Sequence, residues 1–341
     1  MDFGVFDHID TDGQNLRDFY AARLRIVEAC ERAGFYAYHI AEHHGTPLGL
    51  APSPGLFLSA AFQRTTKLRL GPLVFILPLY EPLRLIEEIA MLDQMSGGRL
   101  ELGIGRGTSP LEAALFNSDH KQSAPRYAEA LDVLLKGLTQ KTLSHEGQYY
   151  RYKDVPIEVA PLQLPHPPLW IGGHSVDGAA RAAKLAANYV TQDTAEATRP
   201  YMDSYRATWK EIAPGKPLPK LGLLRFIVVA DSDAEAETLA RRAYPKWHAN
   251  YDHLYRKHGL FHERAAKTES FEVTFDNNIR GVYGSPAKVA RELRQQAEIA
   301  GVNYLVGQFS FGDLSEAEVS RSVALFGSDV MPALKGMRGS V

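Results

Sequence analysis

Short apolar runs alternate with longer helical patterns along most of the chain, and this alternation restricts the possible folds more than any other feature. Eight apolar runs have the length and composition of β-strands, and helical sequence follows each of them. This order predicts parallel βα units, and eight such units close into a (β/α)8 barrel, the TIM-barrel architecture of the α/β class. An open, doubly wound sheet is the alternative. The predicted strands are residues 2–6, 35–41, 68–77, 99–105, 169–172, 188–191, 223–230 and 303–309.

Start and stop signals support the predicted helices. The helix at residues 82–95 has Pro82 in its first turn and Gly97 beyond its end. Ser315 and Glu318 have the spacing of a capping box, which predicts the start of a last helix. The other predicted helices are residues 16–33, 54–64, 125–138, 175–187, 195–212, 233–243 and 286–300.

Two segments interrupt the alternation. The sequence of residues 142–168 predicts a small hairpin near 148–152, followed by a proline-rich connection to the next strand. Residues 244–282 contain many aromatic residues and four histidines. This second segment is interpreted either as a lid over the barrel mouth or as extra helical packing on the outer surface. We expect one domain over residues 1–341, with 244–282 as a lid insertion.

Composition excludes several classes of partner. The chain has 341 residues, of which 45% are hydrophobic, and this is enough for a sizeable core in one barrel domain. Its 38 basic and 40 acidic residues nearly balance, and no long basic stretch suggests nucleic acid or an anionic membrane. The default expectation is a protein that binds small molecules.

Cysteine usage and the N-terminal sequence bear on the compartment. Cys30 is the only cysteine, which excludes a disulfide within the chain and fits a reducing environment. The first residues carry acids and lack the pattern of a signal peptide. No apolar run approaches the roughly 18 residues that span a bilayer. We therefore expect a cytoplasmic location.

The end of the second predicted strand carries Glu42, His43 and His44. In a barrel of this type, catalytic groups lie where strands end and loops begin. A histidine beside a carboxylate can act as a general base near neutral pH. Metal binding and a purely structural, hydrogen-bonded pair are the other interpretations. A metal site needs three or more ligands, and the other strand ends supply no clear set, so we predict no metal.

Glycine-rich turns follow the fourth and fifth predicted strands. Gly103 and Gly105 fit a dinucleotide fingerprint, but the third glycine would fall at Thr108, so we do not assign one. These glycines predict close approach by a ligand, and Arg106 offers a cation to a phosphate. Ser175, after two glycines and at the start of a helix, predicts an anion site, although it is also a good N-cap. Neighbouring strands would let Arg106 and Ser175 hold one phosphate.

The order and spacing of these motifs resemble the bacterial-luciferase-like, flavin-dependent monooxygenase family. The resemblance is carried by Ala-Glu-His-His at 41–44, by the run from Leu-Pro at 77–78 through 91–99 to Gly-Arg-Gly at 105–107, and by 165–173. It covers nearly the whole chain. The family implies a (β/α)8 barrel that binds reduced FMN at the carboxyl ends of its strands.

Site roles follow from this resemblance residue by residue. His43 matches the catalytic base, and Glu42 and His44 match its neighbours in the pocket. Leu73 and Val74 match a pair joined by a non-proline cis peptide against the flavin ring. The implied flavin site is Leu73, Val74, Gly105, Arg106, Gly173, His174 and Ser175, with the phosphate at Arg106 and Ser175.

Three positions depart from the luciferase pattern. The luciferase catalytic subunit has a reactive cysteine where Gly105 stands, a glutamate where His174 stands and a hydroxyl residue where Gly178 stands. Light emission is therefore not expected, and the phosphate contacts can differ in detail.

The resemblance implies a two-component monooxygenase that uses reduced FMN and O2 to oxidise a small organic substrate. A separate flavin reductase is expected as a partner, because the chain has no nicotinamide fingerprint. A deazaflavin-dependent oxidoreductase and a non-catalytic flavin-binding protein are the alternatives. The family also implies a homodimer, with residues 54–62 and 86–95 as candidate faces.

Overall fold

Parallel strands form the centre of the molecule. The computed structural model describes residues 1–11, 13–277 and 280–335, and within them ten parallel strands belong to one sheet, while β6 and β7 form a separate antiparallel hairpin. The strands are β1 Asp2–Asp7, β2 Ala37–Ile40, β3 Arg69–Pro72, β4 Phe75–Ile76, β5 Leu102–Gly105, β6 Thr142–Glu146, β7 Arg151–Pro156, β8 Leu169–Gly172, β9 Asn188–Thr191, β10 Leu221–Val229, β11 Gly281–Gly284 and β12 Tyr304–Gln308.

The sheet closes into a barrel with eight strand positions. Its order is β3-β2-β1-β12-β10-β9-β8-β5-β4. β3 and β4 are consecutive pieces of one strand position. An isolated bridge between Leu70 and Leu100 joins β3 to the segment entering β5, and β4 pairs with β5 directly. The predicted (β/α)8 barrel is confirmed, and the open sheet is excluded.

Helices cover the outside of the barrel. Most carry one buried apolar face, as expected for helices that pack on a parallel sheet. They are α1 Leu16–Ala33, α2 Pro54–Phe62, α3 Pro82–Ser96, α4 Pro110–Leu115, α5 Ser123–Thr139, α6 Val176–Lys184, α7 Ala195–Ile212, α8 Asp233–Tyr251, α9 His253–Lys257, α10 Glu263–Ala266, α11 Pro286–Ala300, α12 Glu316–Leu325 and α13 Met331–Leu334.

Local sequence signals set several helix ends as predicted. Pro82 is the first residue of α3, and Gly97 ends it with φ of 65°. Only glycine takes this left-handed conformation without a steric penalty. The Ser315 hydroxyl and the Glu318 carboxylate form the predicted capping box of α12.

The segment at 244–282 differs from its prediction. α8 extends to Tyr251, eight residues past the predicted end, because Tyr244 and Trp247 continue its buried face. Strand β11 was not predicted, since its four residues begin and end with glycine. It pairs with the outer half of β10, beyond the last residue that β9 covers.

Two smaller differences concern the neighbouring elements. The predicted strand at 68–77 is broken into β3 and β4, and α4 at Pro110–Leu115 was not predicted. The hairpin near 148–152 exists, but its strands lie on both sides of that segment and the turn covers residues 147–150.

Position 103 requires glycine because the backbone of Pro72 lies very close to it. A Cβ at this position would lie 2.1 Å from the carbonyl oxygen of Pro72. Gly103 therefore lets β3 and β5 approach each other at the closure of the barrel. The prediction that it makes room for a ligand is wrong for Gly103.

Cys30 lies on the inner face of α1 and is fully buried. Burial in an apolar environment raises the pKa of its thiol far above the ordinary value. Among the described residues, no helix is both long and apolar enough to cross a membrane.

A buried charged cluster fixes the end of β1. Asp7 accepts hydrogen bonds from the Ile9 N–H at 2.7 Å, from Arg23 at 3.3 Å and from the Tyr38 hydroxyl at 2.5 Å. The second carboxylate, Asp10, lies 3.7 Å from Arg23 and accepts the Gly312 N–H at 2.8 Å. Burial, opposed by attraction to Arg23, raises the pKa of Asp10 from 3.8 to about 7.

Asp10 is expected to lower the stability as pH rises, whereas the buried His8 and His39, whose pKa values lie below the ordinary one because of burial, act in the opposite direction. Between about pH 4 and pH 7 folded Asp10 keeps a proton that the unfolded chain has lost, so this group alone decreases the free energy of unfolding by up to about 1.4 kcal/mol per pH unit. Asp10→Asn keeps an oxygen for the Gly312 N–H and cannot ionise, so its free energy of unfolding should rise more, or fall less, with pH than that of the unchanged protein. Urea unfolding at pH 5, 6 and 7 measures this, with exposed Asp18→Asn as the control. An unchanged slope in Asp10→Asn would contradict the expectation.

Candidate active site

A cavity of about 450 Å³ opens at the carboxyl ends of the barrel strands. Loops after β2, β4, β5 and β8 form most of its wall, and Arg264 reaches it from the segment after α8. Nine of the ten predicted site residues line it: Glu42, His43, Leu73, Val74, Gly105, Arg106, Gly173, His174 and Ser175. His44 is not among the lining residues.

His43 is paired with a carboxylate that the sequence analysis missed. Its Nδ1 lies 3.1 Å from Glu112 Oε1, and Glu112 Oε2 accepts the backbone N–H of His44 at 3.0 Å. Glu112 is on α4, whose start is marked by the N-cap Ser109 and by Pro110. Burial acts to raise the pKa of Glu112, but the nearby His43 and these hydrogen bonds prevail and lower it. Glu112 is therefore held as an anion beside His43.

Glu42 and His44 form a second pair beside the first. His44 Nε2 lies 2.9 Å from Glu42 Oε1. Glu42 Oε2 accepts the Ile76 N–H at 3.1 Å and the Tyr80 hydroxyl at 3.0 Å. Glu42 thus connects the loop after β2 to the segment after β4. The His44 ring contacts Phe116 edge-on, with centroids 4.6 Å apart, so its proposed place beside His43 is on the Glu42 side and not in the lining of the cavity.

A further histidine, His8, packs against the ring of His43. The two rings are stacked with centroids 5.6 Å apart. The Trp247 indole and the Gln308 amide both approach His8 Nδ1, at 3.4 and 3.0 Å. An indole N–H only donates, so Nδ1 is the acceptor and the ring proton is on Nε2. Burial, and secondarily His43, lower the pKa of His8 well below its ordinary value, which keeps the ring neutral.

The middle of the cavity wall is apolar and close-fitting. The peptide bond between Leu73 and Val74 is cis, as the family resemblance implied. A Cβ at Gly105 would lie 2.4 Å from Val74 Cγ2, so no larger residue fits there without displacing Val74. A Cβ at Gly173 would likewise lie 2.6 Å from the Tyr189 hydroxyl. The two glycines therefore let Val74 and Tyr189 pack closely against the strand ends, and Leu73 and Val74 give this part of the cavity an apolar wall.

One end of the cavity carries uncompensated positive charge. Arg106 is exposed at the rim and has no hydrogen bond or ion pair within the described part of the chain. Ser175 lines this end and caps α6, with its hydroxyl accepting the Gly178 N–H at 3.1 Å, so the N-terminus of α6 begins here. Cations and free helix amides are the groups that bind phosphate in proteins.

Two polar atoms in the same wall lack partners. Ser123 Oγ and His120 Nε2 are buried and have no hydrogen bond within residues 1–11, 13–277 and 280–335. Buried polar atoms are normally paired, so both indicate a polar ligand in the cavity. No motif marked either residue in the sequence. Together with Arg106, Ser175 and the apolar wall at Leu73 and Val74, they suit a ligand that has an apolar ring system and a phosphate group.

His174 is held by a carboxylate. Its Nδ1 lies 3.0 Å from Asp193 Oδ2, which the Tyr201 hydroxyl also approaches at 3.3 Å. Burial would raise the pKa of Asp193, but the hydrogen bond and the charge of His174 lower it. His174 is therefore positioned beside Ser175 at the anion end. The described residues contain no cluster of three or more side chains able to hold a metal ion.

Comparison of the sequence with known protein families agrees with the geometry of this cavity. A family model described as luciferase-like monooxygenase matches residues 1–304. The chain belongs to the luciferase-like monooxygenase family. It is therefore an enzyme of the flavin-dependent monooxygenase type, and the recognition made from the sequence motifs is confirmed.

Relatives of this luciferase-like monooxygenase cover most of its length. An uncharacterized protein, y4wF, of Sinorhizobium fredii is 44% identical over 92% of this chain and 91% of its own. The oxygenase component of flavin-dependent trigonelline monooxygenase of Acinetobacter baylyi is 26% identical, with 70% of this chain and 68% of the relative covered.

Solved structures of the same fold include enzymes with different cofactors. The oxygenating constituent of 3,6-diketocamphane monooxygenase from Pseudomonas putida, solved with FMN, has a TM-score of 0.78 and 21% identity over 97% of this chain and 98% of that one. A coenzyme F420-dependent tetrahydromethanopterin reductase from Methanopyrus kandleri has a TM-score of 0.73 and 17% identity over 97% and 98%. At these identities, the likenesses establish the barrel fold of this luciferase-like monooxygenase.

Proposed function

We propose that the protein is the oxygenase component of a two-component system that uses reduced FMN and O2 to oxidise a small organic molecule. A separate reductase supplies the reduced FMN. One observation carries the proposal: a single cavity joins the His43–Glu112 pair to the anion end at Arg106 and Ser175. The FMN-bound structural neighbour and the relative described as an oxygenase component support it.

Each part of the cavity has a distinct task in this proposal. Bound reduced FMN supplies the electrons for the activation of O2. Arg106 and Ser175 bind the phosphate, while Val74 and Gly105 flank the ring. Glu112 accepts the Nδ1–H of His43, which leaves the Nε2 lone pair free to take a proton from the substrate. The apolar wall excludes water from the reacting atoms.

Rapid mixing tests the oxygenase role. We expect protein-bound reduced FMN, mixed with O2, to become oxidised FMN more slowly than free reduced FMN does, because the apolar wall shields it. Equal rates for bound and free FMN would contradict the proposal.

A deazaflavin-dependent oxidoreductase is the second candidate, since one structural neighbour is an F420-dependent reductase. Parallel binding titrations with FMN and F420 separate the two functions. Tighter binding of FMN supports the oxygenase, and a preference for F420 would replace it with hydride transfer.

Arg106→Ala is expected to weaken FMN binding about 10- to 100-fold, because a charge-assisted hydrogen bond contributes roughly 1.5–3 kcal/mol. Riboflavin, which lacks the phosphate, should bind the variant and the unchanged protein equally. Fluorescence titration with both ligands measures this. Arg151→Ala, which removes an exposed arginine of the hairpin, serves as the control. Equal losses for FMN and riboflavin would remove the phosphate role of Arg106.

We also propose a narrower lid than the sequence suggested. Tyr244, Trp247, Phe271 and Phe275 pack in one buried aromatic cluster with β10. The part proposed to move is residues 255–264, where Leu260 and Phe261 are exposed, between the buried Leu254 and Ala265. Movement of this part would open and close the cavity rim near Arg264.

A homodimer through α2 and α3 is proposed on an exposed groove between these helices. Leu56, Met91 and Met95 expose apolar side chains along it. Met91→Glu is expected to convert a dimer to a monomer in sedimentation velocity, because burying an unpaired carboxylate opposes association. The control is Ile212→Glu, which places the same charge on an exposed apolar residue at the end of α7. A monomeric unchanged protein would exclude the dimer.

A further inference from the structure

A second compartment of about 360 Å³ adjoins the cavity. We call it the outer compartment. The two spaces meet at the His43–Glu112 pair, and the residues that line both are His43, Arg106, Thr108, Ser109, Glu112 and Arg264. Its outer wall comes from the segment after β10: Tyr251, Leu254, Tyr255, Phe261, His262 and Arg264. A molecule bound there would lie beside His43 and outside the space assigned to the flavin.

Cations outnumber free carboxylates around the outer compartment. Arg106 and Arg264 line it. Of its two lining carboxylates, Glu263 is paired with Lys267 at 2.6 Å, which leaves Glu112 beside His43. The Arg264 guanidinium has no hydrogen bond or ion pair in the part of the chain that the structure describes. An unpaired guanidinium at the edge of two connected cavities favours a carboxylate or phosphate ligand.

Aromatic faces make up much of the remaining wall. The Tyr255 and His262 rings are stacked with centroids 4.0 Å apart, and Tyr251 lies 4.9 Å from His262. Tyr251 is itself stacked on Trp247, which fixes its orientation. Phe261 is 78% exposed and contacts no other ring in the described residues. Such faces bind flat, conjugated molecules by stacking.

We propose that the outer compartment binds the organic substrate, and that this substrate is an aromatic carboxylate held by Arg264. The inference rests on the proposed function, because it places the substrate against His43. The carboxylate pairs with the Arg264 guanidinium, and the ring lies among Tyr251, Tyr255 and Phe261. Arg106 is left for the flavin phosphate. The volume of about 360 Å³ suits a small molecule of one or two rings.

Binding of paired probes tests the inference. The probes are benzoate, phenylacetate and cinnamate, each with its neutral amide, titrated by calorimetry with and without saturating FMN. We expect at least one carboxylate to bind at least tenfold more tightly than its amide. Arg264→Gln should raise the Kd of that carboxylate at least tenfold and leave the Kd of FMN unchanged. Lys257→Gln removes a charge from the exposed face of α9 and should change neither.

Several results would overturn the inference. It fails if none of the three carboxylates binds below about 10 mM, if the amides bind equally well, or if Arg264→Gln binds the carboxylate normally. It also fails if Arg264→Gln loses FMN instead, because Arg264 would then belong to the flavin site. If the protein binds the carboxylate through Arg264 but binds no FMN, the inference stands and the proposed function is wrong.

Discussion

Replacement of His43 with alanine is expected to lower product formation about 10²- to 10³-fold while the Kd of FMN changes less than threefold. A positioned general base contributes typically 10²–10⁴-fold to the rate. His43 is the histidine that lies at the junction of the cavity and the outer compartment, with Glu112 holding its Nδ1. The measurement is product formed per enzyme, with a reductase supplying reduced FMN, on a substrate found among the aromatic carboxylates.

Two further variants distinguish a catalytic base at position 43 from a histidine with a structural role only. His258→Ala removes an exposed histidine at the end of α9 and should leave both quantities unchanged. Glu112→Gln should lower the rate less than His43→Ala does, because the base remains but loses its carboxylate partner. An unchanged rate in His43→Ala, or a loss of FMN binding equal to the loss of rate, would refute the base role.

Gly103→Ala is expected to destabilise the fold by about 3 kcal/mol or more, which places it among the most damaging single-methyl additions available in this chain. The added Cβ meets the backbone carbonyl of Pro72, and a backbone atom at the closure of a barrel moves less readily than a side chain. One isolated bridge joins β3 to the segment that enters β5, so few hydrogen bonds hold the two together when the added methyl group pushes their backbones apart. Thermal and urea unfolding measure the change.

Gly172→Ala is the matched control. It adds the same methyl group to β8, another strand of the same barrel, but its Cβ meets no atom within 4 Å. Its stability should therefore differ little from that of the unchanged protein. Similar losses in the two variants would show that the strand conformation, and not the Pro72 carbonyl, requires glycine at position 103.

The sequence predicted the barrel because each strand position carries its own local signal. Alternating or continuous apolar runs mark β1, β5, β10 and β12, and helix caps such as Gly97 and Ser315 are read from single residues. β11 was missed because its pairing with β10 depends on the tertiary structure and not on its own four residues. The same holds for the end of α8, where Pro245 suggests a break but the buried face continues.

The residues of the candidate site also divide into those that the sequence predicts and those that it does not. Glu42, His43, Arg106 and Ser175 follow directly from strand ends, so the fold brings them together predictably. Glu112 is 69 residues from His43, and no spacing rule connects them. His8 and Arg264 could not be predicted from the sequence either, because a lone histidine or arginine forms no recognisable pattern until its neighbours in space are known. The cis peptide at Leu73–Val74 came from the family resemblance alone.

The buried thiol of Cys30 makes the protein convenient for spectroscopic labelling. A thiol that stays protonated and inaccessible does not react with maleimides, so the native chain should need no cysteine removed. A single cysteine introduced at exposed Leu260 would then carry the only dye, on the part of the segment proposed to move. Changes in its emission on addition of FMN or a carboxylate would report that movement in solution, in real time and on the otherwise unaltered enzyme.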